Sequence, residues 1–342
     1  MQKEKKSWKL FLLKKLPLYV LLVLAGFVAA LIMAFYNEKK EINIQAARPV
    51  SIPSTSQSFR QIRDRNFKLI QPLLITETVD ESEKLNSMKE EVTRFITKQK
   101  EEGVITSASV YVSRLKDGSW MAINKNETFS PGSLMKIPTL ITVLKDAERK
   151  PGILEEKIYF RKHFSGIPEA TITGEPLVEN RFYKVSDLLY YMIVYSDNDA
   201  TALLNNYLNF ETMKKLFADL QLPVPNYRQP DYKIDVADCA KFLKILFNAT
   251  YLNKEMSQYA MELLSKSAYK EGIIKDLDPS IVVAHKFGER NVDGEQQLHE
   301  FGIVYYDDDP YLLGVMTKGG NHLILPQVLS GVSDLIYQSM KQ

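Results

Sequence analysis

Hydrophobic and polar positions change their period several times along the chain. From Leu16 to Tyr36 (LPLYVLLVLAGFVAALIMAFY) no residue is charged, and about 20 apolar residues is the length a helix needs to cross a bilayer's hydrocarbon core. Lys14 and Lys15 lead into this run and Glu38, Lys39, Lys40 and Glu41 follow it, which predicts a cytoplasmic N-terminus with the rest of the chain outside. A cleaved signal peptide fits less well, because the run exceeds a signal core and no small-x-small site precedes Asn37. From Asn37 to about Phe59 the chain is polar, with Pro49, Pro53 and four serines, and reads as a tether. An apolar patch at Leu69, Ile70, Leu73, Leu74 and Ile75 follows. Then Leu85, Met88, Val92, Phe95 and Ile96, at three- and four-residue steps, predict a helix from about Glu81 to Lys100. The expected organisation is a basic segment 1–15, a membrane helix 16–36, a tether and lead-in 37–80, and a folded domain 81–342 without internal repeats.

Within that domain Ser107 to Arg114 alternates like a strand, Lys116, Asp117 and Gly118 mark a turn, and Trp120 to Asn124 answers as a second strand. A mostly helical middle follows, with helices expected at Val185 to Val194, Ala200 to Leu208, Thr212 to Leu220 and Val236 to Phe247. Strands return at Ile281 to Phe287, Phe301 to Asp307 and Tyr311 to Thr317, and a final amphipathic helix runs from about Pro326. This order predicts an α+β fold: an antiparallel sheet flanked by helices, with a helical insertion across which the first and last strands meet.

Composition narrows the function classes. With 45% hydrophobic and 25% charged residues, the chain is neither disordered nor collagen-like. One cysteine, Cys239, cannot form an internal bridge, and with His163, His285, His299 and His322 it makes no zinc-ligand spacing. The formal charge is +2, yet six lysines against Glu4 crowd the first 15 residues, so the remainder is slightly acidic and no nucleic acid partner is expected.

The candidate chemistry starts at Ser133-Leu134-Met135-Lys136, where a turn signal opens an apolar run. On a helix Ser133 and Lys136 share a face, so the amine can reach the hydroxyl. A serine hydroxyl needs a neighbouring base, and a lysine serves as one when burial or nearby cations depress its pKa. In a first turn, Ser133 would also offer unpaired backbone N–H groups to a developing oxyanion. Pro138 implies that this helix is kinked or starts irregularly. Ser113 to Lys116 and Ser267 to Lys270 repeat the S-x-x-K spacing, one in the hairpin turn and one at a helix end. Context separates them: Ser196-Asp197-Asn198 follows an apolar helix, and Lys286-Phe287-Gly288 ends a β-run. Lys270-Glu271-Gly272 and Lys318-Gly319-Gly320 also read K-x-G, but the first follows no strand and the second ends a later one.

S-x-x-K, S-D-N and K-x-G in this order resemble the three-part signature of class A β-lactamases and penicillin-binding serine hydrolases, over roughly Glu101 to Gln342. The resemblance implies a β-lactamase/transpeptidase-like fold behind one transmembrane helix. It implies Ser133 as the nucleophile of an acyl-enzyme, Lys136 as its proton acceptor and Ser196 as the hydroxyl relaying a proton to the leaving nitrogen. Asn198 would hold the substrate amide, and Lys286 would attract the substrate carboxylate. Gly288 completes the binding triplet, and the N–H groups of Ser133 and Glu289 would form the oxyanion hole. No metal and no organic cofactor is implied, and no oligomeric state.

Two departures bear on the activity. Phe287 stands where the family usually places a carboxylate-binding Thr or Ser, so acidic β-lactams are expected to bind poorly. The stretch Leu222 to Asp235 holds no glutamate to activate a deacylating water; Asp231 and Asp235 are its only carboxylates, and Asp235 reads as the N-cap of the next helix. Three readings follow: a membrane-anchored extracytoplasmic hydrolase acting on β-lactams or related amides, a D,D-peptidase acting on peptidoglycan stem peptides, or a non-catalytic cell-envelope binding protein. Cys239 reads as a buried thiol, Tyr190, Tyr191 and Tyr195 as core, Glu175 and Glu179 as rim or surface charge, and the histidines receive no role.

Overall fold

A computed structural model of the protein describes residues 58–164, 174–225, 232–321 and 323–341. The expected membrane span 16–36 lies outside them, and among the described residues no helix is long and apolar enough to cross a membrane.

The described chain opens on β1 (Phe59–Arg63) and β2 (Leu73–Thr78), paired antiparallel with Ile62 opposite Ile75. Ile62, Leu74 and Ile75 are buried in the same core as the helices further on. Thr250 Oγ1 donates to the Leu74 carbonyl at 2.8 Å, and Trp120 Nε1 donates to that of Thr78 at 2.9 Å. Strand pairing thus starts at Phe59 and packing at Ile62, inside the stretch expected as lead-in and ahead of the expected boundary at 81. The apolar patch divides: Leu74 and Ile75 face inward, while Leu69 and Ile70 stand in solvent.

Next come α1 (Asn86–Glu101), β3 (Ser107–Arg114), β4 (Trp120–Ile123), β5 (Thr128–Phe129) and α2 (Lys136–Arg149). The helical insertion continues through β6 (Lys157–Phe160), β7 (Arg181–Lys184), α3 (Val185–Val194), α4 (Asn198–Tyr207), α5 (Phe210–Asp219), β8 (Ile234–Asp235), α6 (Val236–Phe247) and α7 (Lys254–Ser265). The chain then returns to the sheet as β9 (Val282–Val292), β10 (Glu295–Tyr305) and β11 (Tyr311–Gly319), and ends in α8 (Leu325–Met340). The five-stranded sheet is antiparallel in the order β4-β3-β11-β10-β9, with Val110 of β3 opposite Val315 of β11. The first and last strands therefore meet across the insertion, as the element order predicts.

Strand alternation sends side chains to two cores. Tyr111, Ala284, Phe301, Ile303 and Met316 pack with the insertion helices, whereas Val110, Val112, Phe287, Leu313 and Val315 pack with α1 and α8. The pair β9 and β10 is longer than the apolar signal suggested. Its extension runs through Glu289 to Gln297, where the sequence is polar, and turns at Asp293-Gly294 with φ of 53° and 86°. Two residues with positive φ are what a tight hairpin between right-twisted strands requires.

Burial of the first hairpin makes a prediction. Ile75→Ala, at a side chain 3% exposed, should lower unfolding free energy by about 2–4 kcal/mol. Leu69→Ala, at 91% exposure, should change it by no more than about 0.5 kcal/mol. Urea melts of both variants check this, and equal, negligible effects would detach the hairpin from the domain.

Candidate active site

The segment that carries Ser133 is pinned before it begins. Two side chains of β10 hold the backbone of Ser130: its N–H donates to Gln297 Oε1 at 3.0 Å, and its carbonyl lies 3.1 Å from His299 Nε2. His299 Nδ1 accepts the Thr317 N–H at 3.2 Å, which leaves the ring proton on Nε2 to bond Ser130. Burial brings the pKa of His299 down to about 3, so the ring stays neutral and keeps this pattern. A 3-10 turn, Gly132–Met135, then presents Ser133, and α2 starts only at Lys136. Ser133 therefore precedes the α-helix rather than occupying its first turn. The irregular start that Pro138 implied is this 3-10 turn, and Pro138 falls third in α2, where a backbone N–H has no intrahelical partner.

Lys136 is buried, and its Nζ meets the other motif at the junction between α3 and α4. It donates to the Ser196 carbonyl, to Ser196 Oγ at 3.0 Å and to Asn198 Oδ1 at 2.7 Å. From the sheet edge, Lys286 Nζ reaches the same Ser196 Oγ at 2.9 Å and the Phe287 carbonyl at 2.9 Å. The structure thus brings Lys136, Ser196, Asn198 and Lys286 together, with Ser133 one turn before Lys136. The local backbone explains the S-D-N order. Ser196 sits at φ 57°, a left-handed conformation uncommon outside glycine, which aims its hydroxyl between the amines. Asp197 caps α4 by accepting the Ala200 N–H at 2.6 Å, and Asn198 is the first residue of that helix.

Two amines sharing one hydroxyl at 3.0 and 2.9 Å are no more than about 6 Å apart. If both were charged, they would repel by about 3 kcal/mol at an effective dielectric constant near 20, or about two pKa units. Burial is the larger influence on both. It brings Lys136 down to about 7 against the opposing pull of Asp197 and Glu289, and holds Lys286 well below the usual lysine range, with Lys136's charge adding to the effect. A neutral amine at Lys136 keeps a lone pair, so it can accept a hydroxyl proton near neutral pH.

Close backbone approach sets the other wall. A β-carbon at Gly132, itself at φ 54°, would overlap the carbonyl of Glu289. One at Gly288 would overlap the Pro131 carbonyl and come within 2.8 Å of the Leu134 nitrogen. Glycine at both positions lets β9 lie directly against the Ser133 turn, bringing the backbone of Ser133 and that of Glu289 to the same end of the cleft. Phe287 is buried, stacked on Tyr269 with ring centroids 4.3 Å apart, and the Lys286 amine lies over its ring, 4.1 Å from the centroid. Its role is packing against the α1 and α8 core, which a threonine would fill less well. Of the rival motifs, Lys318 pairs with Glu127 at 3.0 Å and Lys270 is exposed, both away from this cluster.

Several residues not assigned from sequence have definite places. His285 Nδ1 lies 2.6 Å from Glu300 Oε1, both buried behind β9, and Glu300 Oε2 accepts the Ile273 N–H at 2.8 Å. A sign of the His299 contact was available in the alternation of Gln297, His299 and Phe301 along one strand, but nothing local marks Ser130 as its partner. His163, 2.6 Å from Asp199 and with its N–H group bonded to Glu179, ties the end of β6 to the residue after Asn198; the hydrogen bond to Asp199 raises its pKa. Tyr190, Tyr191 and Tyr195 are half-buried and pack edge to face beside Ser196. Cys239 is buried, and burial pushes its thiol pKa up. Asp235 accepts the Asp238 N–H at 2.8 Å and caps α6, while Asp231 and His322 lie outside the described residues. Among the described residues no group of His, Cys, Asp and Glu is arranged to hold a metal.

Comparison with known proteins adds the family. A family model described as the β-lactamase enzyme family matches residues 86–340. Among solved structures, a variant of PBP-A in an acyl-enzyme complex with penicillin G shares 19% identity and a TM-score of 0.64, over 75% of this chain and 97% of that one. A β-lactamase from Chitinophaga pinensis shares 19% with a TM-score of 0.63, over 75% and 100%. A class A β-lactamase from Mycobacterium abscessus shares 16% with a TM-score of 0.61, over 75% and 100%. At such identities these likenesses establish the fold. No curated protein matches the chain.

The geometry predicts two measurements. With 13Cε-labelled lysine, one resonance, lost in Lys136→Met, should titrate near pH 7; titration only above 10 would contradict the burial argument. Gly288→Ala should lower stability by about 1–3 kcal/mol in chemical melts, since the new methyl meets backbone atoms that cannot rotate away.

Proposed function

This chain belongs to the β-lactamase enzyme family, whose members are serine hydrolases, and from that premise we propose that it forms an acyl-enzyme at Ser133 with β-lactams or related amides. The observation that carries the proposal is the Ser196 hydroxyl shared by two buried amines. Lys136 in its neutral form takes the Ser133 proton as Oγ attacks the carbonyl carbon. The tetrahedral oxyanion is met by the N–H groups of Ser133 and Glu289. As the C–N bond breaks, the proton passes from Lys136 through the Ser196 hydroxyl to the leaving nitrogen, and Asn198 holds the substrate amide. Lys286 keeps Ser196 oriented, and the charge of Lys136 disfavours a second one at Lys286.

A second reading is favoured by the loop before α6. Among its described residues the only carboxylate is Asp235, which is occupied as a helix cap, so none of the described side chains there is placed to activate a deacylating water. A long-lived acyl-enzyme fits a D,D-peptidase acting on peptidoglycan stem peptides, whose ordinary turnover passes the acyl group of a D-Ala-D-Ala peptide onward. We further propose that residues 16–36 anchor the chain in the cell membrane with the domain 81–342 and its preceding hairpin outside; the uncharged run and its basic flank support this.

Incubation with a fluorescent penicillin should give a stoichiometric adduct on wild type and none on Ser133→Ala. Slow nitrocefin turnover alongside the adduct would support the second reading, whereas sustained turnover would overturn it. Because Lys136 must be neutral and its pKa is lowered to about 7, acylation should rise with pH, about tenfold per unit below pH 7, and level off above it. A flat profile between pH 5 and 8 would exclude Lys136 as the base. Trypsin added to intact protoplasts should release the domain while sparing the N-terminal lysines.

A further inference from the structure

Residues 64–72 join β1 to β2, and the stem of this loop is tightly held. The Asp64 N–H donates to the Pro72 carbonyl at 2.9 Å, and Arg63 Nη1 donates to that of Gln71 at 2.8 Å. Asn66 Nδ2 donates to Asp64 Oδ1 and to Asp219 Oδ1, both at 2.6 Å. Lys215 of α5 bridges the same two buried carboxylates, meeting Asp64 at 3.3 Å. On β2, Glu77 Oε2 accepts from Lys244 Nζ of α6 at 2.6 Å. The hairpin is therefore fixed to two helices of the insertion, yet its loop turns Phe67, Leu69 and Ile70 outward, each more than half exposed. A slack loop would fold such side chains back onto the core, and this stem prevents it.

Cations surround the apolar tip. From Phe59 to Thr76 the sequence holds Arg60, Arg63, Arg65 and Lys68 against Asp64 alone, and Lys215 already offsets that carboxylate. Arg65 and Lys68 are exposed beside Phe67 and Leu69. Apolar side chains set among cations suit the boundary of a bilayer with anionic headgroups, where the apolar groups enter the acyl edge and the cations stay at the phosphates. The sequence also brings a bilayer within reach. Roughly 20 residues separate the uncharged run 16–36 from Phe59, and even a fully extended chain of that length spans no more than about 80 Å. Tethering at this range keeps the local concentration of lipid high, so a weak dock suffices. We propose that the loop 64–72 docks on an anionic bilayer surface, seating Phe67, Leu69 and Ile70 at the headgroup boundary and fixing how the folded domain faces the membrane. This rests on the anchoring reading of residues 16–36 and goes beyond it, since an anchor and a tether alone leave the domain free to turn.

The full-length protein in lipid vesicles tests this, with an environment-sensitive fluorophore on Leu69→Cys standing in for the leucine. The control carries it on Gln338→Cys, exposed on α8, which packs in the other core from Ile62 and Ile75. Cys239 is buried and stays unlabelled in the native protein. In vesicles with roughly one-third anionic lipid, the label at position 69 should shift to the blue, and lipids brominated in the acyl chain should quench it at least about twofold. The label at position 338 should change by less than about a tenth. Phe67→Ser combined with Ile70→Ser should abolish the quenching, and Arg65→Gln combined with Lys68→Gln, or added salt, should weaken it. These side chains are exposed, so the variants keep the fold. A label at position 69 that stays solvent-like, in protein that still floats with the vesicles after an alkaline wash, would overturn the docking and leave the anchor standing. Protein released by that wash would overturn the anchor reading and this inference with it. A blue shift that brominated lipid does not quench, and that grows with protein density in the membrane, would put a second copy of the chain on the loop in place of lipid and overturn the inference as well.

Discussion

One hydroxyl between two buried amines is the constraint around which this molecule is arranged. Ser196 can bridge Lys136 and Lys286 only if a helix junction, a helix start and a sheet edge arrive at one point from three distant parts of the sequence. Each amine alone would be a costly guest in the interior. Together they discourage each other's protonation, and the cluster tolerates burial because it need not hold two full charges. The acceptors around Lys136, two from Ser196 and one from Asn198, satisfy the protons that remain.

Holding that arrangement requires strain and close contact elsewhere. Ser196 is kept in a left-handed conformation, and Gly132 and Gly288 give up side chains so that strand and turn can touch. Against these costs stand a helix cap at Asp197 and the double grip of Gln297 and His299 on Ser130. The reactive segment is thus referenced to β10, an interior strand of the sheet, through two buried side chains.

What could be read in the sequence follows from which interactions are local. The strand at Ser107 to Arg114 and the helices at Val185 to Val194 and Val236 to Phe247 have the bounds their periodicity predicted, because burial on one face writes itself into every second or every third and fourth residue. The polar half of β9 and β10 carries no such trace, although Asp293-Gly294 was a usable turn signal. The hairpin at residues 59–78 hid because only Ile62, Leu74 and Ile75 of it are buried, too few to show a period. The meeting of Lys136, Ser196, Asn198 and Lys286 was legible through motif order. The supports from His299, Glu300 and His285 were not, since each depends on a partner in another strand or loop. Phe287 stands where the motif places a hydroxyl residue, and in the fold its ring stacks on Tyr269 with the Lys286 amine 4.1 Å from its centroid, contacts that no local pattern marks.

Both margins of the five-stranded sheet are occupied. Along β9 the Ser133 turn lies against Gly288, and along β4 the carbonyl of Trp120 accepts the Ser82 N–H at 2.9 Å while Glu81 Oε2 takes that of Ala122 at 3.2 Å. An open sheet margin is a template on which a second chain can add a strand, and the seeds of aggregation are commonly of this kind. The turn that carries Ser133 therefore also covers part of the β9 margin, so a variant that lost the turn would expose strand edge along with losing its chemistry.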